Sequence, residues 1–179
     1  MAMADMLPAE SLTIRPARVA ETPVLERLIA ESARTLGHGF YTEAETEAAI
    51  AHVFGIDSEL VADGTYLVVE ERGAILACGG WSRRQTLFGG DRYADRSSAL
   101  LDPARDAARI RAFFVAGDQA RRGIGTRLLE ACEAAARAAG FTRAALMATL
   151  PGVPFYARHG YRAAPLERFD LGGVSVSFV

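Results

Sequence analysis

The stretch from Ile110 to Ala139 constrains the fold more than any other. Ile110–Val115 is an apolar run that reads as a buried strand, and an alanine-rich helical pattern continues to about Ala139. Between them lies a turn rich in arginine and glycine, Ala120-Arg121-Arg122-Gly123-Ile124-Gly125-Thr126. A strand that feeds such a turn and then a helix leaves several backbone N–H groups unpaired at the helix start. The helix dipole adds partial positive charge there, so the turn is an anion site suited to phosphate. Gly123 and Gly125 let the backbone approach a ligand, and Arg121 and Arg122 add mobile charge. Two common phosphate motifs do not fit. A Walker A loop needs a lysine, and this chain has none. The third glycine of a Rossmann fingerprint would fall at Leu128.

A length of 179 residues suits one domain with a single core, expected over 11–179 behind a flexible tail over 1–10. Half of the residues are hydrophobic, which argues against disorder. A formal net charge of −2 lacks the footprint of a nucleic-acid binder. Cys78 and Cys132 are too few for a disulfide framework or a zinc cluster and read as small buried hydrophobes. His38, His52 and His159 show no metal-ligand spacing, so no metal is expected and a metal-dependent oxidoreductase is disfavoured. No apolar run is long enough to span a bilayer. Met1–Glu10 lacks the plan of a signal peptide, so a cytoplasmic protein is expected.

Leu12 and Ile14 alternate in a first strand. Thr22-Pro23 reads as a helix start with threonine as the cap, and Gly37 as its stop. Thr42-x-x-Glu45 is a capping box that opens a second helix through about Phe54. The turn between them, Gly37–Tyr41, is expected near an acceptor site. Tyr66–Glu70 and Ala74–Ser82 form a hairpin. Gly79-Gly80 suggests close approach by another backbone or a ligand, and Trp81 is either core or the wall of a pocket. Arg83–Asp106 is a long connection of the kind that is often functional; its candidates for acceptor recognition are Arg83, Arg84, Asp91, Tyr93 and Arg96. Arg143–Thr149 reads as a strand, Val153–His159 as a short helix, and Tyr161–Leu171 with Val174–Val179 as a closing hairpin. These elements predict an α/β fold with a mixed sheet covered by helices on both faces.

The turn resembles motif A of the GNAT superfamily of acyl-CoA-dependent N-acyltransferases, Gln/Arg-x-x-Gly-x-Gly/Ala, with Ala120 in place of the usual first residue. Phe155-Tyr156-Ala157-Arg158-His159-Gly160-Tyr161 resembles the family's Phe-Tyr-x-x-x-Gly-Phe/Tyr ending, in the expected order. The resemblance implies a mainly antiparallel central sheet that splays beside the motif A strand. It implies acetyl-CoA as co-substrate, with Phe113, Phe114 and Val115 pairing with pantetheine. Arg121, Arg122, Gly123, Ile124, Gly125 and Thr126 would hold the pyrophosphate. It places Tyr156 near the coenzyme sulfur as the acid for the departing thiolate, since a phenol is protonated at pH 7.

The function so implied is N-acetyl transfer to a primary amine, a small molecule in the favoured reading. A non-catalytic acyl-CoA-binding or sensing domain on the same fold is the alternative. The strands flanking the motif carry no carboxylate, so no base is evident; Glu70, His38 or His159 acting through water, an acceptor that arrives deprotonated, and proton loss through a water chain all remain open. Sheet edges and the closing hairpin offer surfaces for a homodimer.

Overall fold

Short apolar runs of period two build the sheet, and one helix on each side covers it. The computed structural model describes residues 12–179; the tail expected over Met1–Glu10 lies outside them. The elements are β1 (Thr13–Pro16), α1 (Thr22–Gly37), α2 (Glu43–His52), α3 (Ser58–Ala62), β2 (Tyr66–Glu71) and β3 (Ala74–Ser82). Then come β4 (Ala108–Val115), α4 (Ile124–Ala138), β5 (Ala144–Ala145), α5 (Val153–Arg158), β6 (Glu167–Leu171) and β7 (Val174–Phe178). The main sheet runs β1-β2-β3-β4-β5, antiparallel except for the parallel pair β4–β5, and β6–β7 is a separate hairpin. Consecutive strand residues point to opposite faces. Val69, Ala77 and Ile110 accordingly join Leu128, Leu129 and Cys132 of α4. Val68, Tyr66 and Cys78 join Leu25, Leu28 and Ile29 of α1 on the other face. A third cluster seats Ala48, Ala49 and Val53 of the α2 segment on Val176 and Phe178 of β7. This is the mixed, mainly antiparallel α/β architecture expected.

Local chemistry explains most element ends. Thr42 Oγ1 accepts from Glu45 N at 3.2 Å and Glu45 Oε2 accepts from Thr42 N at 2.7 Å, completing the capping box. Thr22 is not the cap expected: it is the first helical residue, and its hydroxyl donates to Val19 O at 2.7 Å across a preceding 3-10 turn. α2 stops at His52, short of Phe54, and Asp57 caps the additional helix α3 through Leu60 N. The strand expected over Arg143–Thr149 shrinks to two residues, because its partner diverges. Only Ala108↔Ala144 and Arg109↔Ala145 pair. Farther along, Ala148 exchanges two backbone hydrogen bonds with Val179, at 2.7 and 3.0 Å, so the closing hairpin fills the gap. The chain over 161–166 runs without a ladder partner, and β6 begins only at Glu167.

The divergence has a visible cause in β4. Cys78 faces Phe114 and Gly80 faces Arg111, so Gly79 alone opposes Ala112 and Phe113. This is a β-bulge, which bends and twists the strand that carries it. Ala112 takes a positive φ of 49°, a conformation costing an ordinary residue about 1–2 kcal/mol. A side chain on Gly79 would come within 2.6 Å of the Phe113 ring, and one on Gly80 within 2.6 Å of Thr65 O. The close approach read from Gly79-Gly80 is therefore by backbone and an aromatic ring within the sheet. Trp81 packs against Phe141 with ring centroids 6.1 Å apart and belongs to the core.

Beneath the bulge, Arg111 and Asp57 form an ion pair with both side chains 0% exposed. Asp57 Oδ1 also accepts from Arg96 Nη2 at 3.0 Å, and Arg111 Nη2 donates to Gly89 O at 2.6 Å. Removing one charge of such a pair leaves the other buried and uncompensated, which costs about 3–5 kcal/mol. Asp57→Asn keeps an acceptor for Leu60 N but discards the charge. We expect its urea midpoint to fall by the equivalent of that energy at unchanged slope. Glu47→Ala, which breaks only the exposed Arg34–Glu47 pair, should leave the midpoint nearly in place. Equal midpoints for Asp57→Asn and the unmodified chain would contradict this role of the pair.

Candidate active site

The splay opens onto a cavity of about 950 Å³. It reaches from the start of α4, along Ile110–Val115, past α5, to the end of α1 and the face of α2. Because parallel pairing stops at Arg109, the β5-facing edge of Ile110–Val115 has no strand beside it. Phe113, Phe114 and Val115 all line the cavity.

At the α4 end, Gly123 has φ 77° and precedes the helix, and the first helical bond runs from Arg127 N to Gly123 O. The N–H groups of Gly123, Ile124, Gly125 and Thr126 therefore lack helical partners. Gly123 meets this need by its conformation, since a side chain there would touch nothing within 4 Å. Gly125 serves packing as well: an added Cβ would sit 3.4 Å from the Phe155 ring and 3.6 Å from Val115. Arg121, Gly123, Gly125 and Thr126 line the cavity; Ile124 is buried in the core, and Arg122 turns away. Arg122 is held by Gln119 and by Glu71, the latter at 3.1 Å, so it is not the mobile cation expected. Arg121 and Arg158, both on the cavity wall, make no ion pair or hydrogen bond among the described residues. Ala120, the departure from the motif, also lines the cavity, and Gln119 and Arg158 are lining residues that were not among the candidates.

The 3-10 turn Leu150–Gly152 carries α5 across the end of the splay. Tyr41 pins that turn: its hydroxyl accepts from Leu150 N at 2.9 Å and donates to Ser177 O at 2.8 Å. Burial pushes this phenol up to about 12. Tyr156, on α5, packs edge-on against Phe113, Phe155 and Tyr161, with centroids 6.2, 5.0 and 5.6 Å away. Burial raises its pKa above the ordinary phenol value, so it holds its proton at neutral pH. Tyr156 is one of the residues that line the cavity, and its hydroxyl has no hydrogen-bond partner among the described residues, whereas that of Tyr161 donates to Glu133 at 3.0 Å.

Other expected participants lie elsewhere. Glu70 is paired with Arg15, His159 Nε2 meets Thr126 Oγ1 at 3.2 Å, and neither of them nor His38 lines the cavity. The turn over 37–41 contributes through Gly37, Phe40 and Tyr41 instead. In the long connection, Arg84 pairs with Asp63, Arg96 with Asp57, Asp91 accepts from Ser58 N, and Tyr93 stacks on Phe88. None of these nor Arg83 lines the cavity, where Leu87, Phe88, Gly89 and Gly90 stand. Among the described residues there is no metal-binding group of three or more His, Cys, Asp or Glu, and no helix is long and apolar enough to cross a membrane.

Fold and cavity together define an acyl-CoA transferase scaffold, and the family model agrees. The chain belongs to the acetyltransferase (GNAT) family, whose model matches residues 26–161. It is similar to the structure of a GCN5-related N-acetyltransferase from Rhodopseudomonas palustris, at 21% identity and TM-score 0.65, covering 96% of this chain and 95% of that one. A GCN5-related N-acetyltransferase from Ralstonia eutropha JMP134 follows at 23% identity and TM-score 0.58, covering 86% and 94%. A GNAT family acetyltransferase from Brucella melitensis, solved in complex with acetyl-CoA, has 21% identity and TM-score 0.55, covering 87% and 85%. No sequence among the curated proteins matches.

Both cysteines are buried, and burial pushes each thiol up to about 12. Reactive cysteines are accessible thiolates, so a disulfide reagent should leave the native chain unmodified over minutes at pH 8 and titrate both thiols once it is denatured. Rapid reaction of either thiol in the folded protein would show that the core around α4 or β3 opens readily.

Proposed function

We propose that this chain transfers the acetyl group of acetyl-CoA directly to a primary amine. The observation that carries this is one cavity bordered by three things at once: the start of α4 with its N–H groups outside the helical ladder, the edge of β4 beyond its pairing with β5, and Tyr156. The coenzyme would supply the thioester. The N–H groups of Gly123–Thr126 and the Arg121 guanidinium suit its pyrophosphate. The free edge at Phe113–Val115 suits pantetheine amides, which pair as an added strand would. A backbone N–H on that edge polarises the thioester carbonyl.

The amine nitrogen then bonds to the carbonyl carbon and the carbon–sulfur bond breaks. Tyr156 gives its proton to the departing thiolate, and the proton lost by nitrogen restores the phenol through solvent. Tyr156 suits this role because burial keeps it protonated and its hydroxyl makes no hydrogen bond among the described residues. Arg122, fastened to Glu71, supports the turn rather than the ligand.

Tyr156→Phe removes only the hydroxyl. General-acid loss costs on the order of a hundredfold, so kcat should fall by about that factor with acetyl-CoA affinity nearly unchanged. Wild-type kcat, where chemistry limits the rate, would assign Tyr156 to packing. For the coenzyme, Arg121→Glu reverses an exposed charge at the α4 start. Its dissociation constant for acetyl-CoA by calorimetry should rise roughly tenfold or more, with the circular dichroism spectrum unchanged. Equal affinity in the folded variant would move the pyrophosphate away from this turn. Binding without transfer to any amine would make the chain an acyl-CoA sensor.

A further inference from the structure

The far end of the cavity is aromatic. Phe40, Tyr41, Phe54, Phe88, Met147 and Phe178 line it. Phe54 meets Phe114 and Phe178 with centroids 5.3 and 6.0 Å away, and Phe88 meets Phe178 at 5.9 Å, so the wall is a packed aromatic surface. Among the described residues no aspartate, glutamate or histidine lines the cavity, and its charged residues are Arg111, Arg121 and Arg158. Arg111 is neutralised beneath the floor by Asp57.

Backbone oxygens at this end are engaged as well. Gly89 O accepts from Arg111 at 2.6 Å and from Arg96 at 3.3 Å. Phe54 O accepts from Arg92 at 2.8 Å, Ala112 O from Tyr66 at 3.0 Å, and Ser177 O from Tyr41 at 2.8 Å. Among the described residues, an ammonium entering here would lose water, gain no carboxylate and meet only arginine as a charged side chain. Such surroundings favour the neutral amine. A compound with several ammonium groups is disfavoured further.

We propose that the acceptor is a primary amine on an apolar, aromatic body, and that it binds as the free base against Phe40, Phe54, Phe88 and Phe178. This rests on the acetyl-transfer reading above. It also accounts for the absence of a base on the cavity wall. A primary alkylamine is almost wholly protonated at pH 7, so the rate should track its small neutral fraction. Below the amine's own pKa, kcat/KM then rises tenfold for each pH unit. A general base on the enzyme, histidine for example, would instead bend the profile near its own pKa.

The test uses acetyl-CoA with 2-phenylethylamine, spermidine and an N-terminally blocked peptide containing one lysine, each followed by thiol release and product mass. We expect kcat/KM for 2-phenylethylamine to exceed the other two by about tenfold or more, with unit slope against pH from 6 to 9. Phe40 is 53% exposed, so Phe40→Ala should fold normally. That variant should raise the KM for 2-phenylethylamine several-fold, because apolar contact is lost, while acetyl-CoA affinity measured by calorimetry stays put. Preference for spermidine or the peptide overturns the acceptor class and leaves acetyl transfer standing. A profile that levels off between pH 6 and 8 overturns binding as the free base. Bound acetyl-CoA with no transfer to any of the three overturns the acetyl-transfer reading and the acceptor class with it.

Discussion

The hydrogen bond from the Tyr66 hydroxyl to Ala112 O, at 3.0 Å, holds the feature on which the site depends. Ala112 occupies a backbone region that L-residues avoid, and such strain persists only where the surroundings over-determine it. Here they do so from several directions. Tyr66, wholly buried, grips the carbonyl. Arg111, one residue earlier, is locked to Asp57 and Gly89. Gly79 and Gly80 leave the room that the doubled residues need. With Ala112 fixed, β4 turns away from β5 after Arg109, and the unpaired strand edge becomes one wall of the cavity. The ladder hydrogen bonds of a continuous sheet are given up there, and the hairpin contact between Ala148 and Val179 compensates beyond the gap.

What the sequence revealed follows how local each feature is. The strand, turn and helix around Gly123 are set by neighbouring residues, and they stand where expected, as does the Thr42–Glu45 capping box. The bulge was invisible, because Arg111-Ala112-Phe113 contains no glycine at the position with positive φ; Gly79-Gly80 across the ladder was its only trace. The length of β5 could not be read either, since it depends on whether a distant strand keeps company with it. The long connection misled for a related reason. Its charges stood out as possible ligand contacts, but a sequence does not show that Arg84 and Arg96 are met by Asp63 and Asp57. The unremarked Leu87 and Phe88 between them reach the cavity instead.

The cavity is divided chemically along its length. At the α4 end, unpaired N–H groups, the helix dipole and Arg121 make a place for an anion. At the other end aromatic rings prevail, and the buried charges below them balance, with Arg111 and Arg96 set against Asp57 and Glu59. A site with opposite demands at its two ends orders its ligands without contact between them. A polyanionic nucleotide has no reason to enter the aromatic end, and an apolar amine has little to gain at the helix start.

Proton accounting joins the acid to the missing base. Transfer from a thioester to a neutral primary amine gives an amide and a thiol: nitrogen releases one proton and sulfur takes up one. The reaction is then balanced within the site, and a single hydroxyl that donates and is later refilled suffices. Were the amine to enter as its ammonium, one further proton would have to leave before the nitrogen could attack, and among the described residues the wall offers no carboxylate or imidazole to receive it. In the proposed reaction the aromatic lining would shift that deprotonation into bulk water, before binding, where hydroxide and buffer perform it. Tyr156 needs only to stay protonated, and the burial that raises its pKa secures that. In the proposed reaction the same desolvation would act twice, keeping the phenol neutral as an acid and admitting the amine as a nucleophile.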